Sequence, residues 1–213
     1  MPAPTDRLRH LYMLTGVFPV GLFVVGHVIS QLAVLGGPAV YERHQVALGA
    51  LRAWPLIESV VLLSLTFHIA YGVRRFLTLA GRRRRPRDPM ALPRLVTGGV
   101  ALAFLAWHLL ALRIERARGG ISVSGMHAVL VASLSSTTAG VPLVALGYLV
   151  GIAACSATFA SAVASFVASA GVASSPRGRR AVAVACAALG TAVFLAGADA
   201  TVHLATGARH FWR

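Results

Sequence analysis

Charge is scarce in this chain. Only 12% of its 213 residues are charged, against about 25% in an ordinary soluble domain. That deficit, beside 57% hydrophobic residues, argues against a soluble globular protein and makes lipid the expected solvent. Lysine is missing altogether, so the 20 basic residues are all arginine, opposed by six acids. Cysteine is limited to Cys155 and Cys186, both inside apolar runs, and no CxxC or CxxCH pattern occurs. A zinc cage and a covalent c-type haem attachment are therefore excluded, and no disulfide is expected. No GxGxxG follows a strand, so the sequence carries no flavin or dinucleotide fingerprint.

A net charge of +14 would suit nucleic acid. The arginines, however, sit in short loops between apolar runs, where they set membrane orientation. No nucleic-acid partner is expected. Anionic lipid headgroups, or an acidic face on a partner subunit, are the fitting counter-charges.

A hydrocarbon core of ~30 Å takes about 20 apolar residues as helix. Five stretches qualify, at 11–35, 56–79, 95–112, 141–171 and 181–205. The reading is an all-α integral membrane bundle of five transmembrane helices, with residues 1–213 as a single membrane-anchor domain. The first run exceeds the ~7–15 residues of a signal-peptide core, and His27 and Gln31 interrupt it, so it reads as a retained span. In the fourth and fifth spans, Gly147 with Gly151, and the ladder Ser156, Ala160, Ala164 and Ala168, let helix backbones approach closely.

Charge fixes the direction. Arg7 and Arg9, the loop from Arg74 to Arg94 with its run at 82–87, and Arg177, Arg179 and Arg180 share one side. Arg43, Arg52, Arg113, Arg116, Arg118, Arg209 and Arg213 are on the other. The richer side is expected in the cytoplasm, which places the N-terminus inside and the C-terminus outside.

Eight histidines occur, and His27, His68 and His108 lie well inside spans. An ionisable residue in lipid is costly and is a functional hypothesis by default. At ~1.5 Å per residue, His27 and His108 both sit roughly 20–24 Å from the cytoplasmic face, on spans running the same way. Two imidazoles at one depth on different helices can clamp an iron from both sides. His68 is roughly 16 Å from that face, and neither the fourth nor the fifth span offers a histidine at its level.

These residues resemble the cytochrome b membrane anchors of succinate dehydrogenases and fumarate reductases, of the single-subunit, five-helix, two-haem type. The first span reads Arg9-His10-Leu11, then Leu14-Thr15-Gly16-Val17-Phe18-Pro19-Val20-Gly21, then His27. The second carries His68-Ile69-Ala70-Tyr71-Gly72. The third opens Arg94-Leu95-Val96-Thr97-Gly98 and reaches Trp107-His108, then Arg113. Met126-His127 follows, and Ser175-Pro176-Arg177 closes the fourth span. The resemblance implies an anchor that holds a flavoprotein and an iron–sulfur subunit, and carries electrons between them and membrane quinone. It implies haem b ligated by His27 and His108, and a second haem with His68 as one ligand. Counting back from Ser175-Pro176, the fourth-span ligand position falls near Thr158, which has no imidazole. Three outcomes stay open: His68 holds a five-coordinate haem, Cys155 one turn away ligates, or the second haem is absent. The setting implied is the inner (cytoplasmic) membrane of a prokaryote, in the respiratory chain.

Quinone chemistry needs a proton-accepting group. Asp199 and His203 stand at i, i+4 near the outer end of the fifth span, where they are read as a pair that either takes quinol protons or caps the helix at the interface. Glu58 opens the second span, and a carboxylate also suits a helix N-terminus. Arg9, His10 and Arg94 at the inner interface are candidates for haem propionates or lipid phosphates, Arg113 and His127 at the outer for haem propionates, and the run at 82–87 reads as a topology signal with docking to the iron–sulfur subunit as the alternative. His44 and His210 read as solvated loop residues, and Trp107 and Trp212 as outer-interface anchors. The chain has no succinate site, so it is read as a subunit and not as an enzyme alone. The rivals are a cytochrome b subunit of another respiratory complex, and a haem-free transporter or scaffold whose histidines carry protons.

Overall fold

The computed structural model describes residues 4–80, 91–119, 125–172 and 175–208. The arginine run at 82–87, His210 and Trp212 lie outside the described residues, as do the side chains of Arg9 and Arg113. The described chain is helical, with no strand beyond one isolated bridge between Thr138 and Val141.

The first span is not one uniform helix. It runs through α1 (Pro4–Thr15), a π-helical turn (Gly16–Gly21), α2 (Leu22–Gln31) and a 3-10 stretch (Leu32–Gly36). Pro19 explains the π turn. Proline has no N–H and its ring crowds the carbonyl one turn back. A widened turn absorbs both defects without breaking the span. Gly37, at φ 89°, then reverses the chain into α3 (Pro38–Gly49), with Pro38 in its first turn.

The other spans are α4 (Trp54–Ala80), α5 (Ala91–Ala117), α7 (Leu143–Ser169) and α8 (Pro176–Thr206), with the short α6 (Met126–Leu134) between the third and fourth. Among the described residues, five helical segments are long and apolar enough to cross a membrane: His10–Gly36, Trp54–Arg74, Leu92–Leu112, Leu143–Ser169 and Pro176–Thr206. They coincide with the five runs read from hydropathy to within a few residues. Leu22, Leu63 and Val150 are well exposed, as suits faces turned to lipid.

Close packing follows the small residues. A β-carbon on Gly190 of α8 would lie 2.9 Å from that of Ala160 and 3.1 Å from the Ser156 carbonyl oxygen, so α7 and α8 meet there backbone to backbone. Phe159 fills the notch at Gly21, and Phe18 meets Phe166 edge-on at 5.5 Å, which docks the first span on α7. At the end of the bundle where α4 begins and α5 ends, α3 and α6 form a cap. Val34, Tyr41, Met126, Leu134, Ala145, Ala200 and Leu204 are buried together there. Tyr41 donates a hydrogen bond to Gln31 Oε1 at 3.0 Å.

Candidate functional site

His27 is carried by α2 and His108 by α5. Their ring centroids are 6.0 Å apart, at an interplanar angle of 68°. Two imidazoles bound through nitrogen at about 2 Å on opposite sides of one metal would have centroids about 6 Å apart. Among the described residues α2 and α5 have almost no close backbone approach. The two rings therefore reach across a gap between helices, which is what a flat macrocycle requires. No cluster of three or more His, Cys, Asp or Glu occurs among the described residues. A pair of imidazoles suits an iron whose other four ligands come from a porphyrin. This donor set fits haem b.

The site is walled by aromatic rings. Phe104 stacks on His108 at 5.6 Å and 23°, and Phe23 on His27 at 5.6 Å and 16°. Tyr148, near the start of α7, brings its hydroxyl to 3.0 Å from His108 Nδ1. That nitrogen is thereby occupied, and Nε2 is the one left for a metal. Gly151, one turn further along α7, has no side chain, and the Phe104 ring fills the space. Tyr148 and Phe104 did not stand out in the sequence, and Gly151 was legible only as a small residue for helix packing. Depth would have found Tyr148: it lies a few residues from the start of its span, and His108 a few from the end of the antiparallel one.

His68 has different surroundings. Its ring lies flat on Tyr12, with centroids 4.0 Å apart and planes 10° apart, and Tyr71 leans on Tyr12 at 4.9 Å. A β-carbon on Gly16 would be 2.5 Å from His68 Cε1, so α4 and the π turn are in close contact here. His68 Nδ1 is buried and makes no hydrogen bond among the described residues. The expected partner positions lie at another level. Phe159 meets Gly21, and Ile152 reaches Val28's level because Gly197 borders both. Cys155 and Thr158 therefore fall between Gly21 and Val28, past the π turn from Gly16. At ~1.5 Å per residue, Thr158 is about 7–9 Å along the bundle from the residue that touches His68.

Two expectations fail. Asp199 and His203 do not form a pair. Asp199 is 1% exposed and neither carboxylate oxygen has a hydrogen-bond partner among the described residues, whereas the His203 ring nitrogen Nδ1 bonds the Ala208 carbonyl oxygen at 3.1 Å. The short residues Gly197, Ala198 and Ala200 let neighbours close around α8, which encloses Asp199, while the longer His203 turns to the helix end. His44 is not a solvated loop residue either. It is half-buried on α3, and its Nε2 lies 2.8 Å from Ser30 Oγ.

The remaining candidates are dispersed. Glu58 is half-buried early in α4, Arg94 and His10 are exposed, and His127 on α6 meets Tyr41 edge-on at 5.9 Å. None of them is among the residues that wall His27 and His108. An open apolar groove of ≈ 410 Å³ runs beside the site between α5 and α7, lined by Phe104, Trp107, Gly147 and Gly151 among others.

The chain is 28% identical over 176 residues to the succinate dehydrogenase cytochrome b558 subunit of Bacillus subtilis (strain 168), covering 81% of this chain and 83% of that protein. No protein-family model and no solved structure matches it.

Proposed function

Proceeding from a resemblance to the succinate dehydrogenase cytochrome b anchors that the comparison bears out, we propose that this chain is the haem b-carrying membrane anchor of a succinate:quinone oxidoreductase. It carries electrons between an iron–sulfur subunit and membrane quinone, and leaves succinate chemistry to a flavoprotein subunit. The observation that carries the reading is the His27–His108 pair, 6.0 Å apart across a gap between two spans.

His27 and His108 would hold the haem through their imidazoles. When bound, haem b supplies a one-electron relay inside the membrane. The protein's part is to fix both imidazoles and keep water out. Phe23 and Phe104 back the two rings. Lipid-facing aliphatic residues surround the whole. The arginine-rich side is proposed to face the cytoplasm, where it would also meet the acidic surface of a partner subunit.

We further propose that the chain holds one haem. His68 sits in a closely packed helix pair against Tyr12 and Gly16, and no imidazole on α7 or α8 stands level with it. For the protons of quinone, Glu58 is the carboxylate reachable from the membrane interface; Asp199 is enclosed on all sides.

The test is a reduced-minus-oxidised spectrum of the purified complex. The reading expects b-type bands that disappear in His27→Ala and in His108→Ala. A complex without such bands would leave the transporter or scaffold reading standing.

A further inference from the structure

We propose that Tyr148 is a positioning residue for His108: it accepts a hydrogen bond from Nδ1–H, fixes the imidazole with Nε2 toward the iron, and lowers the haem's reduction potential. This rests on the reading of His27 and His108 as haem ligands.

The geometry starts from the span itself. Tyr148 is a polar-tipped ring in a stretch of α7 that otherwise reads Leu143, Val144, Ala145, Leu146, Gly147, Leu149 and Val150. A hydroxyl in lipid must find a partner. Here the partner is His108 Nδ1, 3.0 Å away. The Tyr148 ring is itself held by Trp107 at 5.2 Å and 72°, and by Phe104 at 5.4 Å and 81°, both edge-on. Phe104 also stacks on His108, so three aromatic rings and one hydrogen bond define a single orientation of the imidazole.

The tautomer follows. An imidazole that ligates through Nε2 carries its proton on Nδ1. Nδ1–H then donates, and the Tyr148 oxygen accepts. Such a bond makes the ligand more electron-donating and fixes its plane. Greater donation stabilises ferric over ferrous iron, so the potential falls. No such bond is present at His27 among the described contacts, where Phe23 supplies only a stacked ring. The two axial ligands are therefore unequal, and Tyr148 acts on one side of the iron.

The experiment compares Tyr148→Phe with the unaltered assembled complex. Phenylalanine keeps the ring and removes only the acceptor. The expected result is unchanged haem content, a midpoint potential shifted upward, and altered low-spin g-values in the electron paramagnetic resonance spectrum. Tyr148→Gln, which restores an acceptor oxygen, is expected to return the potential toward the original. A Phe variant with the original potential and g-values overturns the proposal and leaves the haem site standing. A variant merely loosened in its packing would lose haem or melt earlier without the Gln rescue, and this too overturns it. If the Phe variant does not assemble, electron–nuclear double resonance of the unaltered complex decides: the His108 Nδ1 proton must show a hydrogen-bonded coupling, and its absence overturns the proposal. Retention of full haem content in His108→Ala would instead overturn the reading of the site.

Discussion

The ring of Phe104 occupies the space that a β-carbon on Gly151 would fill. The same ring stacks on His108, so a glycine on the fourth span shapes the surroundings of a histidine on the third. Gly151→Ala is expected to force Phe104 aside and destabilise the protein by about 1–3 kcal/mol, the usual cost of overpacking. Gly147→Ala is the control, because a β-carbon there meets nothing within 4 Å. Thermal unfolding in detergent should separate the two, with only Gly151→Ala melting earlier.

The cap over the far end of the bundle has a measurable polar contact. Tyr41, 2% exposed, donates to Gln31 Oε1 at 3.0 Å. Tyr41→Phe should cost about 1 kcal/mol for the lost bond. Tyr41→Ala should cost about 3–5 kcal/mol, since a buried aromatic ring leaves a cavity. Equal melting of the two variants would mean that the ring contributes nothing to the cap.

Hydropathy made the five spans legible, because a length of about 20 apolar residues is a constraint set by the bilayer and not by neighbouring helices. Depth counting likewise brought His27 and His108 together, since rise per residue is nearly constant along a helix. What escaped depended on packing. Nothing in the pattern of residues 16–21 distinguishes a π turn from an α-helix carrying Pro19. The short α3 and α6 are too brief for a span and were read only as connections. The i, i+4 rule put Asp199 and His203 on one face, but residue size and the crowding around α8 decided where each side chain went. Tyr148 was missed because a tyrosine near a span end usually reads as an interface anchor.

Asp199 offers a test of that crowding. A buried acceptor without a partner costs about 1–3 kcal/mol. Replacing it with an apolar residue should relieve that cost. Asp199→Val is therefore expected to melt at the same temperature as the unaltered protein or higher. A clear fall in melting temperature would show that the assembled protein supplies the carboxylate with a partner.

The number of haems is the sharpest consequence of the contrast between His68 and the His27–His108 pair. In His68, one ring face is covered by Tyr12 and the Cε1 edge rests on Gly16. Thr158 and Cys155 lie past the π turn from it, and among the described residues the histidines other than His27, His68 and His108 are at span ends or in connections. His68→Ala is therefore expected to keep its full haem content, at a value near one per chain, while His27→Ala and His108→Ala each bring it near zero. Pyridine haemochrome assay against protein concentration in the purified complex measures all three. A value near two, halved by His68→Ala, would mean that Tyr12 gives way to a second haem on binding. Because a ligand on one face suffices for a five-coordinate haem, that outcome would also predict a high-spin signal in the spectrum of the unaltered complex, lost in His68→Ala and retained in Tyr12→Phe.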